Sequence, residues 1–252
     1  MLDLKSLVVH NNPKSPVAES YRVLRTNIQF ASVDKPVKVI AVTSSCPEEG
    51  KTTTIANLAI TFAQSGSSVL LLDADLRKPR VHKSFGLTNN TGMTTVLAQH
   101  IDYKKCIAAA RVDNLYILTS GPIPPNPSEL LTSNAMKSLI EKLREDFDII
   151  LLDTPPVGIV TDAAILSTIA DGTILVVSSG KVEIGAAQRA KELLQKVNAN
   201  ILGVVLNNIE KNGRNDYYYN YYYASDSEGE RTVNKRLKNK KSKNKKQELI
   251  GY

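Results

Sequence analysis

From residue 37 to residue 209 the chain alternates short aliphatic runs with longer stretches in which apolar residues recur every three or four positions. That alternation predicts strands and helices in turn, and so a parallel sheet wrapped by helices. The strands are expected at 37–42, 69–72, 115–118, 149–152, 173–177 and 201–206. Several of these runs are apolar at every position, as strands covered on both faces are. Helical periodicity is found at about 52–64, 91–99, 128–145, 162–169 and 183–197.

One more helix is predicted ahead of the first strand, with Ser15 as its N-cap and Pro16 at its first position. Val17, Tyr21, Leu24 and Ile28 recur at helical spacing and define its expected apolar face. Glu19, Arg22 and Arg25 are expected to point away from it. Beyond Asn215 the aliphatic periodicity stops, and a Tyr-rich and then Lys-rich segment follows that cannot bury enough apolar surface to fold alone. The expected organisation is therefore an N-terminal segment, 1–36, an α/β domain, 37–215, and a disordered tail, 216–252. The chain has no internal repeat.

Composition changes this picture only in places. The formal charge of +7 on 252 residues belongs to the tail, where residues 231–246 carry nine bases and no acid, while 216–230 carry four acids and no base. Aliphatic runs such as 69–72 and 149–152 fall far short of the roughly 18 residues of a membrane span, and no signal-peptide stretch opens the chain. A cytoplasmic location is the expectation. Cys46 and Cys106 lack CxxC spacing and neighbouring histidines, which argues against zinc, iron–sulfur ligation and a disulfide framework. His10, His82 and His100 are scattered and take no assigned role.

Chemistry enters after the first strand. Ser45-Cys46-Pro47-Glu48-Glu49-Gly50-Lys51-Thr52 matches the P-loop pattern GxxxxGK[ST], except that Ser45 replaces the first glycine. Such a loop turns backbone N–H groups toward phosphate at a helix N-terminus. Residues 45–53, Thr53 included, are the expected ATP-binding segment, with Lys51 reaching the β and γ phosphates and Thr52 a ligand of Mg²⁺. Asp73 and Asp75 follow the second strand and Asp153 follows the fourth, at the strand ends where parallel sheets bind ligands. Mg²⁺ keeps several waters and needs few carboxylates, so Asp75 and Asp153 are assigned to it. Asp73 is left for catalysis. Asn207 and Asn208, after the last strand, are placed where an adenine edge can be read.

These residues resemble a known family. The P-loop, Leu71-Leu72-Asp73-Ala74-Asp75-Leu76-Arg77-Lys78-Pro79, the stretch GPIPPNPSELL from Gly121 and FDIILLDTPP from Phe147 are similar to the bacterial tyrosine kinases of capsule and exopolysaccharide synthesis. The resemblance implies Walker A, A′ and B motifs on a P-loop NTPase fold like that of the MinD and ParA ATPases. Glu19-x-x-Arg22-x-x-Arg25 resembles the ExxRxxR motif through which that family assembles a homo-oligomeric ring. Two departures stand out. The family commonly has glycine after the loop proline, where this chain has Glu48; its carboxylate is tolerable near phosphates only if it points outward. The signature lysine of the partitioning and site-positioning ATPases, five residues before the P-loop lysine, is Cys46 here.

Six tyrosines, Tyr217, Tyr218, Tyr219, Tyr221, Tyr222 and Tyr223, fill six of seven consecutive positions. A buried strand of this kind would leave many hydroxyls to satisfy, and a merely sticky tail is the other alternative. Phosphoacceptor is the preferred reading, and the cluster resembles the family's tyrosine cluster, autophosphorylated between subunits. The lysine run is open between a solubilising tail, an anionic-membrane contact and nucleic-acid binding; no aromatic interleaves the lysines to stack on bases, so no nucleic-acid partner is expected. The resemblance further implies a membrane-protein activator of the polysaccharide co-polymerase type, a cognate tyrosine phosphatase, and a place at the inner face of the membrane through that activator. The expected function is an ATP-dependent protein-tyrosine autokinase regulating polysaccharide synthesis and export. Its rivals are a MinD- or ParA-like ATPase switch cycling on membrane or DNA, and a non-enzymatic binding module.

Overall fold

The computed structural model describes residues 7–31 and 36–209 of the chain. The tyrosine cluster and the rest of the expected tail lie outside the described residues. The strands are β1 (Val39–Ser44), β2 (Val69–Asp73), β3 (Ile107–Ala109), β4 (Leu115–Leu118), β5 (Ile149–Asp153), β6 (Gly172–Ser178) and β7 (Ile201–Asn207). They form one sheet in the order β3-β4-β2-β5-β1-β6-β7, parallel except for β3, which runs antiparallel to β4 at the edge. The helices are α1 (Val8–Asn11), α2 (Pro16–Ala31), α3 (Lys51–Gln64), α4 (Val81–Phe85), α5 (Met93–Gln99), α6 (Pro127–Thr132), α7 (Asn134–Asp146), α8 (Asp162–Ile169) and α9 (Ile184–Lys196).

Successive residues of a strand face opposite sides of the sheet, and here each side has its own core. Ile40, Val42, Val69, Leu71 and Leu151 pack with Ile55, Leu58 and Phe62 of α3. Val39, Leu70, Leu72, Ile150 and Leu152 pack with Met93, Leu139 and Leu143 on the other side. This double coverage is why those runs are apolar throughout.

The structure extends three of the predicted strands to their polar ends. Ser44, Asp73 and Asp153 are the last residues of β1, β2 and β5 rather than residues beyond them. The single helix expected over 128–145 is two, because Ser133 accepts a hydrogen bond from the Met136 N–H and caps α7, while its own hydroxyl donates to Leu130 O. Elements as short as α1, α4 and β3 carry too few residues to print a period and were not anticipated.

In α2, Ser15 caps as expected, accepting from the Ala18 N–H at 3.1 Å. The facing of the helix is rotated from expectation. Ala18 and Ile28 are buried, Tyr21 and Leu24 pack beside them, and Val17 is 47% exposed. Arg25, expected to point away, turns inward and donates to Thr61 O of α3 at 2.8 Å. Ala18 belongs to the core cluster that includes the apolar residues of α3, and the long Arg25 reaches across to an α3 carbonyl. Glu19 and Arg22 pair with each other on the outer face at 2.8 Å.

Candidate active site

Adjacency of β2 and β5 decides the geometry. Asp73 and Asp153 are direct partners across that ladder, one strand spacing apart. Both are fully buried. Lys51, the first residue of α3, donates to Asp153 Oδ1 at 2.6 Å and lies 3.7 Å from Asp75. The Thr52 hydroxyl donates to Asp153 Oδ2 at 2.7 Å. Asp75 accepts the N–H groups of Arg77 and Lys78 through Oδ1. Asp73 Oδ2 accepts the Val81 N–H, and Asp73 Oδ1 is buried without a hydrogen-bond partner among the described residues.

Burial pushes the Asp73 carboxyl well above the usual carboxylate range, and the charge of Asp153 beside it pushes further. Asp153 is also raised by burial, against the opposing pull of Lys51 and the Thr52 hydroxyl. Low-dielectric carboxylates this close resist simultaneous ionisation, which is a further reason that the Asp73–Asp153 pair is raised.

The loop itself is held by its own side chains. Gly50 has φ of 86°, and a Cβ there would come within 2.1 Å of the Asn207 amide nitrogen, which donates to Glu49 O. Glu49 is buried and accepts from the Ser45 hydroxyl and the Cys46 N–H. Glu48 turns outward, 70% exposed, and Lys181 meets its carboxylate at 3.3 Å. Beside the loop is a cavity of about 1150 Å³. Pro47, Glu48, Glu49, Gly50, Lys51, Thr52, Thr53 and Asp75 line it; Ser45, Cys46, Asp73 and Asp153 do not.

Two anchors of this site were not read from the sequence. Arg77 Nε and Nη2 bind both oxygens of the buried Asp162 at 2.8 and 3.0 Å, and the Ser128 hydroxyl donates to the same carboxylate. This triangle ties the segment after β2 to α6 and α8. The pairing of Asn207 with Glu49 O is the other, a strut under the loop from a residue that the sequence placed near an adenine edge. The partners in each are separated by dozens of residues, so no local spacing signals them. The proline-rich stretch after Gly121 is fixed too, through the Thr94 hydroxyl to Pro122 O and the Asn89 side chain to Gly121.

The cluster suits a nucleotide and a divalent cation. Three carboxylates converge with Lys51 as the single side-chain cation that pairs with them among the described residues. Yet no group of three or more His, Cys, Asp or Glu side chains among the described residues is arranged to hold a metal by itself. Mg²⁺ bound mainly through phosphate oxygens and water, with Thr52 and one or two aspartates nearby, fits that balance.

A family model described as ParA, "NUBPL iron-transfer P-loop NTPase", matches residues 35–238. The chain is 46% identical over 223 residues to tyrosine-protein kinase YwqD of Bacillus subtilis (strain 168), covering 88% of this chain and 93% of that one. The chain belongs to the bacterial tyrosine-protein kinases, on a ParA-like P-loop fold. The crystal structure of the chimerical protein CapA2B2 superposes on this kinase with a TM-score of 0.80 at 43% identity, over 82% of this chain and 91% of that one. The septum site-determining protein MinD from Pyrococcus horikoshii OT3, complexed with Mg-ADP, gives 0.60 at 26% identity, over 70% and 72% of the two chains. The kinase is therefore a nucleotide-binding protein of the MinD-like fold. No helix among the described residues is long and apolar enough to cross a membrane.

Proposed function

We propose that this kinase uses Mg-ATP to phosphorylate the tyrosines at 217–219 and 221–223 of a neighbouring copy, and that this cycle regulates capsular or extracellular polysaccharide synthesis and export. The observation that carries the reading is the Lys51–Asp153–Thr52 network beside buried Asp73, whose Oδ1 has no hydrogen-bond partner among the described residues. Mg-ATP supplies the phosphoryl group and part of the charge neutralisation. Lys51 offsets negative charge that develops during transfer, and the loop amides hold the phosphates in place. Thr52, Asp75 and Asp153 hold the cation. Asp73, as the carboxylate, orients the acceptor hydroxyl and takes its proton through the unpartnered Oδ1.

The ring is assigned to Glu19 and Arg22 of the expected motif in α2, Arg25 of that motif being held by Thr61 O. A membrane-protein activator of the co-polymerase type would hold the kinase at the inner face of the membrane, and a tyrosine phosphatase would reset it. The sequence similarity to tyrosine-protein kinases and to the CapA2B2 chimera supports this reading. Cys46 at the signature-lysine position counts against the ATPase-switch rival.

The test is mass spectrometry of protein purified after co-expression with a tyrosine phosphatase and then given Mg-ATP. Phosphate should accumulate with time on the clustered tyrosines, vanish in Lys51→Met, and fall at least about a hundredfold in rate in Asp73→Asn with Mg-ADP affinity retained. ATP turnover without phosphotyrosine would favour the switch, and an Asp73→Asn protein working at the normal rate would remove the proton from that residue.

A further inference from the structure

One wall of the cavity is left unused by nucleotide binding as proposed. Residues 77–83 read Arg77-Lys78-Pro79-Arg80-Val81-His82-Lys83, and five of these seven, all but Pro79 and Val81, line the cavity. Arg77 is committed to Asp162. Lys78, Arg80 and Lys83 are exposed, and none forms an ion pair among the described residues. The acids around the same cavity are already engaged: Glu48 with Lys181, Glu49 with Ser45 and Cys46, Asp75 with Lys51. Three positive charges are thus left uncompensated on one side.

Their place in the sheet separates them from the phosphate cradle. The P-loop follows β1 and the cationic segment follows β2, with β5 between them. Two strand spacings, about 10 Å, therefore part the two strand ends. A second substrate can lie there while a nucleotide occupies the loop. The chain itself contains a segment of matching charge, because residues 216–230 surround the six tyrosines with Asp216, Asp226, Glu228 and Glu230 and no base.

We propose that Lys78, Arg80 and Lys83 form a docking wall that selects acceptor tyrosines lying in an acidic stretch, namely the 216–230 segment of a second copy of this chain. The inference rests on the proposed kinase reading and deepens it by naming what recognises the acceptor. Attraction between opposite charges is long-ranged and only weakly directional, so it favours encounter without imposing one register. That property suits an acceptor with six tyrosines in seven positions, each of which must be presented in its turn. A shaped pocket would fix a single tyrosine and exclude its neighbours. Charge docking should act on the acceptor's KM and leave kcat to the residues around Lys51.

The experiment pairs two full-length proteins. The donor keeps its active site and has the six clustered tyrosines changed to phenylalanine. The acceptor carries Lys51→Met, so that it accepts phosphate and cannot transfer it. Initial rates are read as phosphotyrosine against acceptor concentration, with Mg-ADP affinity of the donor measured alongside. Adding K78A, R80A and K83A to the donor should raise the acceptor KM about tenfold, with kcat and Mg-ADP affinity within about twofold. Neutralising the acceptor by D216N, D226N, E228Q and E230Q should raise KM by a similar factor with the unaltered wall. The two sets of changes together should add little to either alone, because each removes the same interaction. In about 0.5 M salt the difference should shrink toward nothing. Equal loss on acidic and neutralised acceptors, or a proportional loss of Mg-ADP affinity, would overturn the wall and leave the kinase reading standing. No transfer between the unaltered donor and the Lys51→Met acceptor would overturn the kinase reading itself and the wall with it.

Discussion

Glu48 occupies a position in the loop whose backbone suits glycine better than a side chain. Its φ is 62°, in the left-handed region that glycine enters freely and a side chain enters at a cost of about 1–2 kcal/mol. A glycine at this position would meet no such cost. The carboxylate escapes the phosphate cradle by turning outward to Lys181, an exposed pair that contributes little to stability. Glu48→Gly should therefore stabilise the protein by about 1 kcal/mol, net of the flexibility that glycine adds to the unfolded chain, and raise Tm by about 2–4 °C. Mg-ADP should bind more tightly as the nearby negative charge goes. Calorimetry and a nucleotide titration check both, and a lower Tm would mean that the loop is not strained at this residue. Lys51, Thr52 and the aspartates were legible from motif spacing, because a P-loop and the ends of apolar runs are local features. The partners Arg77–Asp162 and Asn207–Glu49 were not, because only folding brings their elements together.

Elements meet at the end of the sheet opposite the site through one carboxylate. Asp171, just before β6, accepts the N–H groups of Lys38 and Val39 at the start of β1 and two hydrogen bonds from Arg144 of α7, at 2.8 and 2.9 Å. Burial alone would raise its proton affinity, but the Arg144 guanidinium and the two amides outweigh it and hold the carboxyl below the ordinary carboxylate range. A depressed folded-state value means that Asp171 stabilises the fold above the ordinary aspartate pKa, and that this contribution fades as pH falls through the folded value. Asp171→Asn should cost about 1–3 kcal/mol near pH 7, read as a lower urea midpoint, and the difference from the unaltered protein should close as the pH falls to well below the ordinary aspartate pKa. A gap that stays constant down to that pH would mean that packing, not charge, carries the effect. The rotation of α2 belongs to this scale as well. A helical stripe predicts which residues share a face, while the partner decides which edge of that face is pressed inward, and α3 chose Ala18 and Arg25 over Val17.

At the scale of the whole molecule, Glu19 and Arg22 remain on the outer side of α2, with Val23 and Phe30 exposed at 50% and 71% on the same helix. Arg25 is tied into the body. The assembly proposed for this helix can therefore be tested without disturbing the fold by changing Glu19 and Arg22 to alanine and keeping Arg25. Light scattering of the nucleotide-bound, unphosphorylated protein should show the mass falling from a ring to a monomer, with an unchanged circular dichroism spectrum. An unchanged mass would return the pair to an ordinary solvated ion pair. What the sequence determined by itself was the α/β architecture, the parallel direction of its principal strands, the P-loop and the ends at which the aspartates sit. All of these follow from short-range patterns of burial and from the backbone demands of a phosphate loop. The tertiary structure alone decided that Asp73 and Asp153 stand side by side, that Asn207 supports the loop and that three cations go unpaired along one wall. Such relations depend on strand order, and strand order is set by packing across the sheet, which no window along the chain contains.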